Sequence, residues 1–282
     1  TSGVTFKITP DGSCTVNVCG SSVTGLHTVK ATRGALSTSV SLLVGGPTPV
    51  IASFAPTSGN VGTLVVITGT AFTGATDVRV NATSVPFTVD SDTQITATIV
   101  SGTVTGKISV VAPGGTVVSS ATFKVTPQIT GFSPASGPSG TTVVITGSGF
   151  TGATSVTFNS IAASFTFNSD GQITAVAPCC GASGKIRVIT AGGTAVSATA
   201  FKVPPQLAGF SPSTGPVTTA VVITGSAFTG ATSVTFGGIA ATFTVDSDNQ
   251  ITAIVPAGAV TGKIKVTTGG GSVTSATSFT VT

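Results

Sequence analysis

An internal repeat, continued through three copies without insertion or deletion, constrains this chain more than any other feature. The run Phe-Thr-Gly-Ala-Thr occurs at 72–76 and returns at equal intervals, at 150–154 and 228–232. A repeat of this length predicts a row of similar domains, because each copy is one structural unit and the copies follow one another along the chain. The predicted domains are 47–126, 127–204 and 205–282, and a shorter segment, 1–46, precedes them.

Each repeat alternates short apolar runs with turns, which is the pattern of β-strands. Val and Thr are frequent in the runs, and Gly and Pro separate them. No segment has a helical period. Seven short strands in one repeat are typical of a small antiparallel sandwich. In the second repeat the strands are predicted at 129–132, 141–146, 155–158, 162–167, 173–176, 185–189 and 197–203.

The start of each repeat carries a longer motif. In the second repeat it reads Phe-Ser-Pro-Ala-Ser-Gly-Pro-Ser-Gly-Thr at 132–141 and Val-Val-Ile-Thr-Gly-Ser-Gly-Phe at 143–150. This motif resembles the opening of an IPT/TIG domain, and the resemblance extends over 49–282. It implies the immunoglobulin-like fold of plexin-type receptors, Rel-type transcription factors and many bacterial surface proteins. It leaves function open, because the module serves as a spacer, a receptor stalk or a DNA clamp.

The joins between repeats are short and contain proline, so the domains are expected to follow one another stiffly. The predicted fold class is therefore all-β, with tandem immunoglobulin-like antiparallel β-sandwiches arranged as a rod. By period 2, Val143 and Ile145 are expected to point inward and Val144 outward.

Residues 1–46 form a part repeat. The stretch from Phe6 to Val44 aligns without a gap on the stretch from Phe87 to Val125. The segment is therefore predicted to be the C-terminal half of a further immunoglobulin-like domain. Half a sandwich would expose a core face and open strand edges. Upstream residues of a longer protein are the favoured completion, with a partner chain or a merely loose half as alternatives.

The composition argues against catalysis. Charged residues make up 6% of the chain, and it contains a single His, seven Asp and no Glu. Acid–base or nucleophilic catalysis needs several ionisable groups that converge, whereas these are spread over the whole length. The chain is therefore predicted not to be an enzyme and to have no catalytic, cofactor-binding or metal site and no cofactor. His27, which aligns with Ile108, is interpreted as a half-buried strand residue.

Carboxylates recur in one loop of the repeats, at 90–92 and 246–248. Such a loop is a weak candidate for Ca²⁺, which usually takes six or more oxygen ligands. Asp and Ser also bond their own backbone in turns, without a metal.

Basic residues do not indicate a nucleic-acid or membrane partner. The net charge is +4, and no run of Lys or Arg is present. Lys185 and Arg187 share one strand face, as do Lys263 and Lys265, but no aromatic or amide groups for base contacts accompany them. No apolar stretch reaches the roughly 20 residues that span a bilayer. Neither a nucleic-acid partner nor a membrane span is predicted.

The four cysteines are interpreted as two disulfides, Cys14 with Cys19 and Cys179 with Cys180. Five residues of extended strand span about 16 Å, beyond the roughly 7 Å limit for a disulfide, so the first bond requires the chain to turn back. Adjacent cysteines in a loop are hard to explain as core residues. Both bonds imply an oxidising, extracellular or cell-surface location. Reduced thiols that fill space are the alternative.

A surface with so little charge favours a structural role. Val66, Val144 and Val222 occupy the same position in each repeat and are predicted to form an exposed apolar row suited to side-by-side packing. The predicted function is a non-catalytic extracellular structural protein, a stalk, sheath or filament subunit, whose partners are copies of itself or other cell-surface components. An adhesin or carbohydrate-binding surface module, with a glycan as partner, is one alternative, although the Trp and Tyr that commonly stack on sugars are absent. A spacer region of a larger secreted enzyme is the other.

Overall fold

The computed structural model describes residues 4–15, 18–23, 25–179 and 183–282. The chain divides into two compact units, Thr1–Val125 and Thr126–Thr282. The first unit contains the part repeat and the first complete repeat, and the second contains the other two complete repeats. Every regular element assigned in the described ranges is a β-strand, so the predicted all-β fold is confirmed.

The part repeat consists of a three-stranded antiparallel sheet and a small hairpin. The sheet has the order β1-β4-β5, and the hairpin joins β2 to β3. The strands are β1 (Thr5–Thr9), β2 (Ser13–Thr15), β3 (Val18–Gly20), β4 (Gly25–Arg33) and β5 (Leu36–Val44).

The first complete repeat is a sandwich of two sheets with the orders β11-β12-β8-β6 and β10-β9-β13-β14-β7. Its strands are β6 (Val50–Ala55), β7 (Ser58–Gly59), β8 (Leu64–Thr70), β9 (Asp77–Val80), β10 (Thr83–Ser84), β11 (Phe87–Ser91), β12 (Gln94–Thr98), β13 (Gly106–Ala112) and β14 (Gly115–Val125).

The second complete repeat has the same arrangement, with sheets β15-β16-β20-β19 and β18-β17-β21-β22. Its strands are β15 (Gln128–Ser133), β16 (Thr142–Ser148), β17 (Ser155–Phe158), β18 (Ile161–Ala163), β19 (Phe165–Ser169), β20 (Gln172–Val176), β21 (Gly184–Thr190) and β22 (Gly193–Phe201).

The third complete repeat has sheets β23-β25-β29-β28 and β24-β31-β30-β26-β27. Its strands are β23 (Gln206–Ser211), β24 (Thr214–Gly215), β25 (Ala220–Ser226), β26 (Ser233–Phe236), β27 (Ile239–Ala240), β28 (Thr242–Ser247), β29 (Gln250–Ile254), β30 (Gly262–Thr268) and β31 (Gly271–Val281). In each complete repeat we call the sheet that contains β8, β16 or β25 the front sheet.

Two strand predictions for the second repeat differ from the structure. The run predicted as one strand at 162–167 is two strands, β18 and β19, in different sheets, because the chain crosses between the sheets at Ser164. The last strand begins at Gly193 and not at Ser197, because Thr190 pairs directly with Gly193 and the hairpin turn needs only two residues.

The core of each complete repeat lies between its two sheets. Val143 and Ile145 are fully buried, and Val144 between them is only half-buried, which agrees with the predicted alternation. Phe201 is also fully buried, and the ring of Phe158 meets it edge-on at 5.3 Å. Edge-to-face packing of this kind adds to the stabilisation from buried area.

A glycine in the second strand of each front sheet lets the first strand approach closely. A Cβ at Gly225 would overlap the carbonyl group of Gln206 and the ring of Phe228. The equivalent glycines are Gly69 and Gly147. These positions fix the packing of the Phe-Thr-Gly loop against the sheet.

The part repeat departs from the complete repeats in one pairing. In the alignment of Phe6 with Phe87, β1 corresponds to β11 and β4 corresponds to β13. β11 pairs with β12, whereas β1 pairs with β4, so that Ile8 lies opposite Val29. The residue equivalent to Val29 is Val110, whose partner in the complete sandwich is Val78 of β9. β1 therefore occupies the position that β9 has in a complete repeat.

Candidate functional site

A carboxylate in each complete repeat binds the loop that carries the Phe-Thr-Gly motif. One oxygen of Asp92 accepts hydrogen bonds from the backbone N–H of Thr73 at 3.2 Å and from its hydroxyl at 2.8 Å. The other oxygen accepts the backbone N–H of Ala71 at 3.2 Å. We call this arrangement the Asp clamp. Its equivalents are Asp170 with Gly149 and Thr151, and Asp248 with Ala227 and Thr229.

The clamp favours the ionised carboxylate. The hydroxyl of Thr73, followed by the backbone N–H groups of Thr73 and Ala71, lowers the pKa of Asp92 below its usual value of 3.8. The bonded N–H of Ala71 belongs to a residue with φ of 59°, a left-handed conformation that is unfavourable for a residue with a Cβ. The clamp thus holds a strained turn in place.

A second polar contact lies two residues before the clamp. The carboxylate of Asp90 accepts the hydroxyl of Thr96 at 2.7 Å and the side-chain amide of Gln94 at 3.1 Å. These two bonds lower the pKa of Asp90. Asp246 binds Thr252 and Gln250 in the same way, and Asn168 binds Thr174 in the second repeat.

These contacts bear on the loop considered for calcium. The carboxylates of Asp90 and Asp92 face different parts of the sandwich, and each is occupied by N–H or O–H donors of the chain. In the part of the chain that the structure describes, no group of three or more His, Cys, Asp or Glu residues could hold a metal ion. The clamp is a structural arrangement that sequence reasoning missed, because Asp92 and Thr73 are 19 residues apart.

A buried serine in the last strand is a further polar contact that sequence reasoning missed. The hydroxyl of Ser197 accepts the backbone N–H of Ile186 at 2.9 Å and donates to the carbonyl of Thr199 at 2.6 Å. It bridges the register shift between β21 and β22. Ser119 and Ser275 are its equivalents. These polar side chains satisfy buried backbone groups.

Two joins between consecutive domains are built from backbone atoms. In the first unit a Cβ at Gly114 would overlap the carbonyl group of Pro47, and in the second unit a Cβ at Gly270 would overlap that of Val203. Both glycines lie in the same hairpin turn of their repeats, and both linker residues lie two positions before an equivalent proline, Pro49 or Pro205. The adjoining cavities, of about 110 and 200 Å³, are smaller than the roughly 300 Å³ or more of typical ligand pockets.

The proposed assembly residues lie on the outer face of the front sheet. Val66, Val144 and Val222 are half-buried. Their side chains are therefore less exposed than predicted. Each lies on a central strand between two neighbours, and Val144 has Ser133 on one side and Thr174 on the other. Their methyl groups contribute to an outer face made mainly of Thr, Ser and Val.

Basic side chains lie on the other sheet. Lys185 and Arg187 are exposed on β21, as are Lys263 and Lys265 on β30. They point away from the core residues between them, Ile186 and Ile264. These side chains therefore face solvent, and each pair shares one strand face as predicted.

The cysteines fall in two different settings. Cys14 and Cys19 form a disulfide across the hairpin of β2 and β3, with a Cα–Cα distance of 4.0 Å. β2 and β3 pair in antiparallel orientation, which places the two cysteines opposite each other. Cys179 is exposed, whereas Cys180 lies outside the described residues. The bond between Cys179 and Cys180 stays a prediction.

His27 is more deeply buried than the alignment with Ile108 predicted. Its side chain is 1% exposed, because the turn at Asp11 lies next to it. Nε2 is 2.7 Å from the carbonyl oxygen of Val23, and Nδ1 is 3.5 Å from the carboxylate of Asp11.

Among the described residues, no helix has the length and apolar character needed to cross a membrane.

Comparison with known families and structures gives one sequence match and several structural ones. The family model described as IPT/TIG domain matches 49–125, 127–203 and 205–281. No curated protein matches the chain.

Three similar solved structures illustrate the structural matches. The first, a protein crystallised with xylogluco-oligosaccharide, is 22% identical over 83% of this chain and 60% of its own, with a TM-score of 0.37. The plexin A4 extracellular region is 20% identical over 78% and 23%, with a TM-score of 0.29. The surface glycan-binding protein PbSGBP-B from Prevotella bryantii is 13% identical over 56% and 43%, with a TM-score of 0.41. This chain thus spans less than two thirds of each of these relatives.

Proposed function

Because this chain belongs to the IPT/TIG domain family, we propose that it is a non-catalytic extracellular structural protein, a subunit of a stalk, sheath or filament. The observation that supports this most is the use of its carboxylates. Asp92, Asp170 and Asp248 each bind backbone and hydroxyl groups of their own repeat. These aspartates, whose carboxylates are the groups most suited to acid–base chemistry, thus stabilise the sandwich.

An extracellular or cell-surface location follows from the same proposal. The disulfide between Cys14 and Cys19 is of a kind that persists in oxidising compartments and is rare in the cytosol. It closes a hairpin that has only three residues in each strand. A hairpin that short has little stability of its own, so the disulfide serves to stabilise it.

Copies of the chain are the partners in this proposal. The outer face of the front sheet carries Val66, Val144 and Val222 at the same position of each repeat. The hydroxyl of Thr96, beside Val66, donates to Asp90. Two such faces can bury the methyl groups of these valines against each other, which favours lateral association.

Electron microscopy of the native material, with analytical ultracentrifugation of the purified chain, tests the structural role. Regular filaments or sheaths, and a chain that associates reversibly with rising concentration, are expected. A chain that stays monomeric at all concentrations and is scattered singly on the source surface would contradict the proposal.

A glycan-binding surface module is the second candidate, and Phe167 is the residue that favours it. Phe167 lies on the edge strand β19 and is 44% exposed, and an exposed aromatic ring can stack on a sugar. The equivalent positions hold Val89 and Val245, so only the second repeat offers this ring. A glycan array probed with the chain and with Phe167→Ala tests this role. Binding that Phe167→Ala abolishes would support it, and the absence of any bound glycan would oppose it.

A further inference from the structure

The part repeat has one apolar face and one polar face. Phe6, Ile8, Val29 and Val40 lie on the apolar face, because Ile8 pairs with Val29 and Val29 pairs with Val40. On the opposite face the same strands carry mainly Thr, Ser and Lys. This division is the pattern of a sheet that packs on one side.

The apolar face is covered at one end, where Ile8 is 4% exposed, and uncovered at the other. Val40 is 65% exposed and Leu36 is 78% exposed. The hairpin of β2 and β3 lies at the covered end, where Gly12 adjoins Ile8. In the first complete repeat the residue equivalent to Val29, Val110, is completely buried in one core cluster with Val65 and Ile67. The face therefore corresponds to the inner face of a sandwich from which the opposing sheet is missing.

The edge of β4 is occupied by a substitute strand. We call residues 49–86 of the first complete repeat its front half, and β9 belongs to that half. In the complete repeat β9 pairs with this edge through Val78 and Val110, whereas in the part repeat β1 takes its place through Ile8. β1 aligns with β11, which belongs to the opposite sheet of a complete sandwich. Its position on β4 satisfies an edge that would otherwise be open.

Asp11 is a clamp residue without its loop. It aligns with Asp92 when Phe6 is placed on Phe87, and Asp92 and its two equivalents each bind two backbone N–H groups of the Phe-Thr-Gly loop. In the described part of the chain, Asp11 accepts the hydroxyl of Ser21 at 3.2 Å and its side chain is 49% exposed. The residue that would hold a front-half loop is thus present and accessible.

From these observations we infer that the part repeat is an acceptor for the front half of an IPT/TIG domain. The occupant is a segment homologous to 49–86, because in the first complete repeat Val65 and Ile67 of that segment share one core with Val110, the equivalent of Val29. On completion the strand of that segment equivalent to β9 replaces β1 on β4, and Asp11 binds its loop. The disulfide between Cys14 and Cys19 closes the hairpin, so β2 offers only its three residues, Ser13–Thr15, for pairing with the added segment.

A chimera tests this inference. A copy of 49–86 is joined directly to Phe6 of the chain, because Pro86 and Thr5 are equivalent positions. Two disulfide traps then report which strand lies on β4, with Cys179 and Cys180 replaced by Ser. Ile8→Cys with Val29→Cys is expected to form a bond in the original chain and to lose it in the chimera. Val78→Cys in the added copy is expected to bond to Val29→Cys instead.

Two controls separate docking from a nonspecific effect of added chain. A copy carrying Val65→Asp and Ile67→Asp cannot pack on the face, so it is expected to leave the bond between positions 8 and 29 intact. Asp11→Ala removes the contacts with Ser21 and His27 in both proteins, but it is expected to lower the unfolding midpoint of the chimera more than that of the original chain, as the clamp is made only in the chimera.

Retention of the bond between positions 8 and 29 in the chimera would overturn the inference. So would an equal effect of both added copies, or an Asp11→Ala midpoint shift of equal size with and without the added segment. Loss of that bond in the original chain as it dimerises would overturn it as well, by assigning the face to a second copy. These outcomes are independent of whether the protein forms filaments.

Discussion

Asp92 and Thr73 lie on opposite halves of the first complete repeat, and a single carboxylate oxygen joins them by accepting both the N–H and the hydroxyl of Thr73. A hydrogen bond to an ionised group is stronger than one between neutral groups. The relationship recurs in all three complete repeats.

Removing the clamp is expected to destabilise one repeat. Asp170 is buried, with 8% of its surface exposed, so Asp170→Ala leaves the N–H groups of Gly149 and Thr151 without their acceptor. The expected loss is about 2 to 4 kcal/mol of unfolding free energy, measured by urea denaturation. Asn168→Ala, at an exposed neighbour that accepts the hydroxyl of Thr174, is the matched control and is expected to cost less than about 1 kcal/mol. Equal effects of the two variants would argue against a special role for the clamp.

Acid is expected to weaken the first complete repeat. The pKa values of Asp77, Asp90 and Asp92 are all lowered from 3.8, by Arg79, by Thr96 and by Thr73 respectively as the largest causes. Since the folded state holds these protons more weakly than the unfolded state, the stabilisation is fully present above 3.8 and is lost as the pH falls through the lowered values. Hydrogen exchange of this repeat, measured as the pH is lowered, checks the sign. Asp92→Asn is expected to reduce the acid sensitivity, and an unchanged pH profile would contradict the assignment.

The close approach at Gly225 is expected to tolerate no side chain. Gly225→Ala places a Cβ against the carbonyl of Gln206 and the ring of Phe228, and overpacking of this kind costs about 1 to 3 kcal/mol. Gly209→Ala is the matched control in the neighbouring strand, because its Cβ would meet only the hydroxyl of Thr224 at 3.8 Å. Thermal unfolding distinguishes the two. A control as damaging as Gly225→Ala would point to a general intolerance of substitution in this sheet.

The gapless repeat predicted the sandwich class and the inward direction of Val143 and Ile145 because both follow from local periodicity. The clamp was not predictable, since it depends on a turn that brings Asp92 to a residue 19 positions earlier. The pairing of β1 with β4, at the position that β9 has in a complete repeat, was also not predictable. The sequence pattern of β1 is that of β11, which pairs with a different strand. Local pattern fixes which face of a strand is apolar, and tertiary context decides which neighbour that strand has.

The cysteines of the hairpin are expected to resist alkylation. Mass spectrometry of native material treated with an alkylating reagent, without reductant, is expected to show Cys14 and Cys19 unmodified and linked. Reduction first is expected to make both reactive. Alkylation of both in unreduced native material would remove the support for an oxidising compartment.

The outer face of the front sheet is expected to carry the association. The triple variant Val66→Lys, Val144→Lys and Val222→Lys is expected to leave the domains folded, because these side chains point away from the core. It is expected to disperse the assemblies through like-charge repulsion. Light scattering and circular dichroism measure the two effects.

A matched variant carries the same three charges on the opposite sheet, through Val118→Lys, Val196→Lys and Thr274→Lys at exposed positions. It is expected to leave the assemblies intact. Equal dispersal by both variants would mean that net charge, and not this face, controls association, and unfolding by the first variant would mean that the face is wrongly assigned.

The contacts of Gly114 with Pro47 and of Gly270 with Val203 have a consequence for how such an array lengthens over evolution. The linker side of each contact is a main-chain carbonyl, which any residue supplies, and the receiving side is a glycine inside the following domain. A gene duplication of one complete repeat therefore copies a domain together with the glycine that receives the preceding linker. Additional domains can be inserted without compensating side-chain changes in their neighbours. The number of domains can therefore vary while the contact between linker carbonyl and glycine stays the same.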